Sequence, residues 1–399
     1  MSIQNIVSKI LANDDESSYA ILVYVDLNEL FTKEFTLKYL NEILKNNPIL
    51  TQTIVEEHGN LVLCDIEMFD TNKCFTLEYS KQCEFETYIP QLLNKPFTEY
   101  KFYMFFCIDT EAKKSRMYFK IHHSYSDGYK LIQMLTEPFY AKKNDNKLPL
   151  FKRKTTFLSS MYYWVIATIT LIMANIISFK HIILSPNTRT EHIKASTDFI
   201  TCKPFELDKI KEFVKKRNMS INDFLYALMI KSDKIYTQKD RTLNTCSPIN
   251  GTNLTKTNNA YMILNSIENS HDNEVLFKHV NTTFNNYKYS LYIPFIIMII
   301  NNIATFINVK DLSWYYDNMI KNVDYVYTNM IGPHVDKLTV QITDIKFLTT
   351  AKNSAIVYNI ISCKNNINIV CSFKKGIIKD KVRFEASIHE AYHDLMDTT

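Results

Sequence analysis

The stretch Lys120-Ile121-His122-His123-Ser124-Tyr125-Ser126-Asp127-Gly128 sets two imidazoles, a carboxylate and a glycine close together. Residues 116–121 before it alternate apolar and polar side chains, as a half-buried strand does, and residues 129–135 after it have helical apolar spacing. The histidine pair is therefore expected at a strand end, followed by a tight loop and a helix. An imidazole titrates near neutrality, so a histidine held there can take a proton from a hydroxyl. Adjacent residues of a strand face opposite sides, so one imidazole meets a given pocket and the other packs into the core. Asp127 lies beyond the turn, where its carboxylate could orient an imidazole or lock the loop through a buried cation. The chain holds only five glycines, so Gly128 directly after Asp127 suggests a steric demand.

The segment His122-His123-Ser124-Tyr125-Ser126-Asp127-Gly128 is similar to the HHxxxDG signature of the wax ester synthase/diacylglycerol acyltransferase (WS/DGAT) family. That family lies within the CoA-dependent acyltransferases, together with chloramphenicol acetyltransferase and the peptide-synthetase condensation domains. Two later segments resemble the family's other motifs. Ser220-Ile221-Asn222-Asp223-Phe224-Leu225-Tyr226-Ala227-Leu228 follows its S-x-N-D-x-x-x-A-L helix start, and Thr328-Asn329-Met330-Ile331-Gly332-Pro333 its S/T-N-x-x-G-P loop. The three occur in the family's order, and the likeness spans nearly the whole chain. One departure stands out: near residues 96–106 the family has Pro-x-x-W-E, and the Trp and Glu are missing here, which puts in doubt the packing under the active site.

The resemblance implies an α/β fold of two similar chloramphenicol acetyltransferase-like lobes, each a mixed sheet flanked by helices, with a tunnel between them. Residues 1–140 would form the first lobe, 141–185 a linker, and 186–399 the second lobe. Acyl-CoA would be the co-substrate and a long-chain alcohol or diacylglycerol the acceptor, with no cofactor and no metal. His123 would be the general base, His122 would pack behind it, and Asp127 would hold the loop that Gly128 ends. Asn222, Asp223, Thr328, Asn329, Gly332 and Pro333 would shape the tunnel from the second lobe. An oxyanion donor is needed, and Asn222 or a backbone amide near Gly128 could supply it.

The residues themselves leave bland alternatives open. Ser220 and Asp223 have capping-box spacing, which explains Asp223 without chemistry. A tight turn after a strand explains Gly332-Pro333 as well as a tunnel does. His389-Glu390-Ala391-Tyr392-His393 fits HExxH, but only six residues follow it, and 381–396 reads as an amphipathic closing helix. A protein that binds lipid on the same fold without turnover is the rival functional reading.

At 399 residues and 46% hydrophobic content the chain can bury a large core. Its basic residues are scattered among 42 acidic ones for a net charge of +4, which does not point to nucleic acid. Eight cysteines without CxxC spacing, behind a polar start, read as reduced thiols facing the cytosol. Residues 142–154 read as a polar, basic linker. Residues 157–179 carry no charge and match roughly one bilayer thickness, with Lys152, Arg153 and Lys154 before them and Tyr162, Tyr163 and Trp164 near one end. A buried soluble helix is the alternative. His123 precedes this run, while Asn222 and Asn329 follow it, and both sides must close on one tunnel. The run is therefore expected to lie on a membrane or lipid-droplet surface, not to carry the chain across. A second uncharged run at 289–309 is read as packed or amphipathic.

Overall fold

The computed structural model describes residues 19–57, 60–140, 196–250, 260–269, 272–289, 322–350 and 355–398. Between 165 and 180 it also describes residues 165, 168, 169, 172, 173, 176 and 180. The expectations for 142–154, for all but the first residue of 289–309 and for most of 157–179 fall outside the described residues.

In the first half, strands β1 (Ala20–Leu27), β2 (Gln52–Glu57), β3 (Asn60–Asp65), β4 (Phe75–Ser80), β5 (Phe102–Asp109) and β6 (Lys114–His122) alternate with helices α1 (Lys33–Asn46), α2 (Tyr88–Asn94) and α3 (Gly128–Thr136). In the second half come strands β7 (Thr197–Thr201), β8 (Phe205–Glu206), β9 (Thr242–Asn250), β10 (Ala260–Glu268), β11 (Tyr325–Met330), β12 (Ile342–Thr349), β13 (Ile356–Cys363) and β14 (Asn366–Lys374). Helices α4 (Leu207–Lys216), α5 (Ile221–Thr237), α6 (Asn273–Tyr289) and α7 (Lys381–Met396) cover them. The two main sheets run β12-β1-β6-β5-β4 and β10-β9-β11-β13-β14-β7, and β8 pairs with β14. Both are mixed, since β4 is parallel to β5 and β11 is parallel to β9 and β13. The expected architecture of mixed sheets flanked by helices is present.

Local chemistry accounts for the helix starts. Thr32 accepts the Phe35 amide at 3.1 Å ahead of α1, and Asp380 accepts the Arg383 amide at 2.9 Å ahead of α7. At α5 Ser220 and Asp223 form a reciprocal capping box, with bonds of 3.2 and 2.9 Å.

Two features depart from expectation. β6 is buried on both faces, not half-buried: Phe119 and Ile121 join the core beneath α1 and α3, while Tyr118 faces the cluster around α2. Arg116 is buried with it because its guanidinium pairs with Asp26 (2.5 Å) and Glu86 (2.7 Å). The second departure is β12, which lies in the segment expected to form the second lobe. It pairs antiparallel with β1 from Ile21↔Thr349 onward and so becomes an edge strand of the first sheet. The sheets do not divide at residue 186, because β1 takes β12 as its partner on the side away from β6. Strand β4 and helix α6 were not anticipated.

The lobes also meet through side chains. Ile361 and Cys363 of β13 belong to the first lobe's core, and Asn94 at the end of α2 holds the Thr197 backbone through bonds of 2.9 and 3.1 Å.

Candidate active site

Strand β6 ends at His122, and His123 begins the turn into α3. Backbone bonds fix the turn: His122 N–H donates to the Lys101 carbonyl (2.8 Å), His123 N–H to Tyr19 (2.7 Å) and Tyr125 N–H to His122 (3.0 Å). Tyr125 is buried and donates its hydroxyl to the Gln52 carbonyl at 2.9 Å, which ties the loop to β2.

The two imidazoles differ in environment. His122 is 3% exposed, bonds through Nδ1 to Ser124 Oγ at 2.6 Å, and meets the Phe97 ring edge-on at 5.4 Å. Burial, together with the charges of Lys101, His123 and Lys120, pushes its pKa down to about 3. Phe97 also lies 4.4 Å from the ammonium of Lys120, which is itself buried and donates to the Lys95 carbonyl at the end of α2. Burial and the neighbouring Lys95 push Lys120 down to about 7. Thus Phe97 packs against His122 although the Trp and Glu of the family element are missing. His123 is half-buried. Burial lowers its pKa below the usual histidine value, opposed by its own backbone carbonyl and by the charge of Asp127, so the imidazole is neutral at neutral pH.

Asp127 caps α3, accepting the Lys130 amide at 2.8 Å. The buried guanidinium of β6, Arg116, is engaged elsewhere with Asp26 and Glu86. Gly128 opens α3 with a φ outside the left-handed region, so its backbone does not require glycine. A Cβ there would lie 2.4 Å from Met330 Sδ, which means the second lobe's loop sits directly on the start of α3.

That loop is held from the other side by α5. Asn222 Oδ1 accepts from Asn329 Nδ2 (3.2 Å) and from the Tyr327 hydroxyl (3.1 Å), which leaves Nδ2 as the donor group of its amide. Thr328 is half-buried and shares a strand face with Met330, by the two-residue period of β11. Asp223 is buried in its capping box and also accepts from Asn281 at 3.1 Å, so its role in the structure is that of a cap. At Gly332 a Cβ would lie 1.7 Å from the Ser362 carbonyl oxygen, and the Gly332 amide donates to Ser362 Oγ at 3.0 Å. Close backbone approach to β13, not a positive φ, is what demands this glycine. Pro333 follows it, buried.

The site residues thus form one contiguous path: Asn222 to Asn329, then Met330 to Gly128, then Asp127 and the His123 turn. Tyr327, Met330 and Phe97 were not foreseen. Met330's place inside the S/T-N-x-x-G-P segment and Phe97's place in the 96–106 element were the signals that could have drawn attention to them. The HExxH histidines lie apart from this path: the His389 ring packs at a tilt against Phe205, centroids 4.8 Å apart, and Glu390 pairs with Arg383. Among the described residues no cluster of metal-binding side chains occurs.

Comparison with solved structures defines the fold. The chain superposes on the wax ester synthase/diacylglycerol acyltransferase of Marinobacter aquaeolei VT8 with a TM-score of 0.65 at 12% identity, covering 99% of this chain and 98% of that one. It superposes on the trichothecene 15-O-acetyltransferase of Fusarium sporotrichioides with a TM-score of 0.65 at 10% identity, covering 96% and 94%. It superposes on the first condensation domain of the CDA synthetase with a TM-score of 0.65 at 9% identity, covering 98% and 94%. The fold is therefore that of the two-lobed, chloramphenicol acetyltransferase-like acyltransferases. Residues 258–396 match the family model of the WS/DGAT C-terminal domain. Curated protein sequences give no match.

Proposed function

We propose that the protein is an acyl-CoA-dependent O-acyltransferase that moves a fatty acyl group to the hydroxyl of a long-chain alcohol or a diacylglycerol and releases free CoA. The observation that carries this is His123: a neutral, half-buried imidazole at a strand end, beside the point where the second lobe's loop reaches Gly128. His123 takes the hydroxyl proton as the acceptor oxygen attacks the thioester carbonyl carbon. The tetrahedral adduct collapses, the C–S bond breaks, and the proton passes to the departing thiolate. No acyl-enzyme intermediate is needed. The developing oxyanion calls for a donor worth roughly 3 kcal/mol, and Asn222 Nδ2 is the side-chain group available to provide it. Asp127 holds the turn and favours the imidazolium that forms transiently.

Purified protein is incubated with palmitoyl-CoA and, in separate reactions, hexadecanol, dioleoylglycerol or no acceptor, and free thiol and labelled ester are followed. Acceptor-dependent thiol release with matching ester supports acyl transfer. Palmitoyl-CoA binding with no release under any condition supports the rival, a lipid-binding protein on this fold.

The same reading includes a membrane or lipid-droplet surface, reached from its cytosolic side. Val165, Ile169, Met173 and Ile176 lie in helix at spacings of four, four and three, and each is more than half exposed, so they form one apolar stripe. No helix among the described residues is long and apolar enough to cross a membrane. Replacing these four residues with serine should abolish co-flotation with phosphatidylcholine vesicles, and undiminished flotation would rule the stripe out as the anchor.

A further inference from the structure

We infer that Met330 is a specificity-determining residue: its thioether fills a slot that Gly128 keeps open at the start of α3, and the side chain must swing aside for the acyl thioester to reach His123. This rests on the acyl-transfer reading above and adds to it the residue that selects the chain.

The two glycines of the site serve different ends. Beside Gly332 the obstacle to a Cβ is the Ser362 backbone carbonyl, 1.7 Å away, which belongs to a core strand and cannot yield. Beside Gly128 the atoms within reach are Met330 Sδ at 2.4 Å, Cε at 3.1 Å and Cγ at 3.9 Å, the far end of one unbranched side chain. Gly128 opens a helix with an ordinary φ that alanine would also adopt, so the backbone does not call for glycine there. If the site needed only permanent packing, a Cβ at 128 facing a shorter residue at 330 would fill the same volume. What the glycine provides is a space occupied by a side chain that can leave it. Methionine has three rotatable bonds and no branch, which suits it to that role.

The backbone of Met330 is fixed while its side chain sits at a boundary. Met330 pairs with Ile361 in the β11–β13 ladder, its neighbour Asn329 is held by Asn222, and Gly332 is held by Ser362. Its side chain is half-buried against the first lobe's core. The next residue, Ile331, is 54% exposed, so solvent lies one residue from the slot.

The test compares Gly128→Ala, Met330→Ala, Met330→Leu and the double variant Gly128→Ala/Met330→Ala, each checked for a wild-type melting profile, on acetyl-, octanoyl- and stearoyl-CoA. The methyl group of Gly128→Ala should lower turnover at least about tenfold, and removing Met330 in the double variant should not restore it, because the slot itself is filled. Met330→Ala should change the stearoyl-to-acetyl ratio of kcat/KM by roughly tenfold, the scale of a few methylenes in an apolar pocket. Met330→Leu, of similar volume but branched, should slow release from the slot and depress kcat for all three substrates. Recovery of wild-type turnover in the double variant would show that the glycine only makes room for Met330 and would overturn the inference. An unchanged chain-length ratio in Met330→Ala would do the same. If the wild-type protein binds these thioesters without releasing thiol, acyl transfer fails alone, and the ratios are read from Kd by calorimetry. If it binds none of them, both readings fall.

Discussion

His123→Ala should cost roughly two to four orders of magnitude in turnover with little change in melting temperature, as for loss of a general base. His122→Ala should mainly destabilise, since it removes the 2.6 Å bond to Ser124 and the contact with Phe97 from a buried site. Thiol-release assays and thermal melts of both variants check the division. A folded, inactive His122→Ala beside an active His123→Ala would reverse the assignment. A second prediction concerns protons. His122, held at about 3, and Lys120, held at about 7, bind protons more weakly folded than unfolded. The unfolded chain therefore takes up extra protons as pH falls, from about 10.4 to 7 for Lys120 and from about 6.5 to 3 for His122, and stability is lost in both windows. Lowering pH from 6.5 to 5 should remove on the order of 2 kcal/mol through His122. Urea titrations at pH 5, 6.5 and 8 measure this, and a pH-independent midpoint would show that His122 is not buried as described. At this scale the histidines, Asp127 and Gly128 stood out in the sequence because chemistry-bearing residue types cluster there. Met330, Tyr327 and Phe97 did not, because each acquires its role from a partner distant in the chain.

Helix α5 and strands β9 and β11 are joined at the end remote from the site by a buried carboxylate. Asp233 is fully buried and accepts from Arg241 (Nε, 3.0 Å), the Tyr325 hydroxyl (2.5 Å) and Asn269 (3.2 Å), while Arg241 also reaches Asp324 at 3.1 Å. Arg241→Ala removes the cation and leaves the carboxylate in place, so it should destabilise by about 3–5 kcal/mol. Asp233→Asn/Arg241→Ala should recover part of that loss, because no uncompensated charge remains. Equal denaturation midpoints for Arg241→Ala and the wild type would leave the network without weight. Most elements were legible from period and caps: α7 begins and ends where its apolar spacing does. Helix α6 was not, because its asparagines and threonines are weak helix formers, and it is packing of Leu276, Phe277, Val280 and Phe284 into the second lobe's core that holds it helical.

The exchange of β12 makes the two lobes one folding problem. A fragment of residues 1–185 lacks Ile342–Thr349 and exposes the edge of β1, an eight-residue, almost wholly buried apolar strand. It should aggregate or remain unfolded when expressed alone, and co-expression with residues 186–399 should bring it into solution. A monomeric 1–185 fragment with a cooperative melt would show that β12 is dispensable.

The sequence by itself determined the α/β class, most strands and helices, the order of the three motifs and the turn that carries His122 and His123. Periodicity, caps and residue chemistry act over a few neighbouring positions, so they can be read without the fold. Only the tertiary structure decided that β12 belongs to the first sheet, that Phe97 packs against His122, and that Met330 rests on Gly128. Sheet partners and interlobe contacts depend on which surfaces meet across hundreds of residues, and no local pattern encodes that.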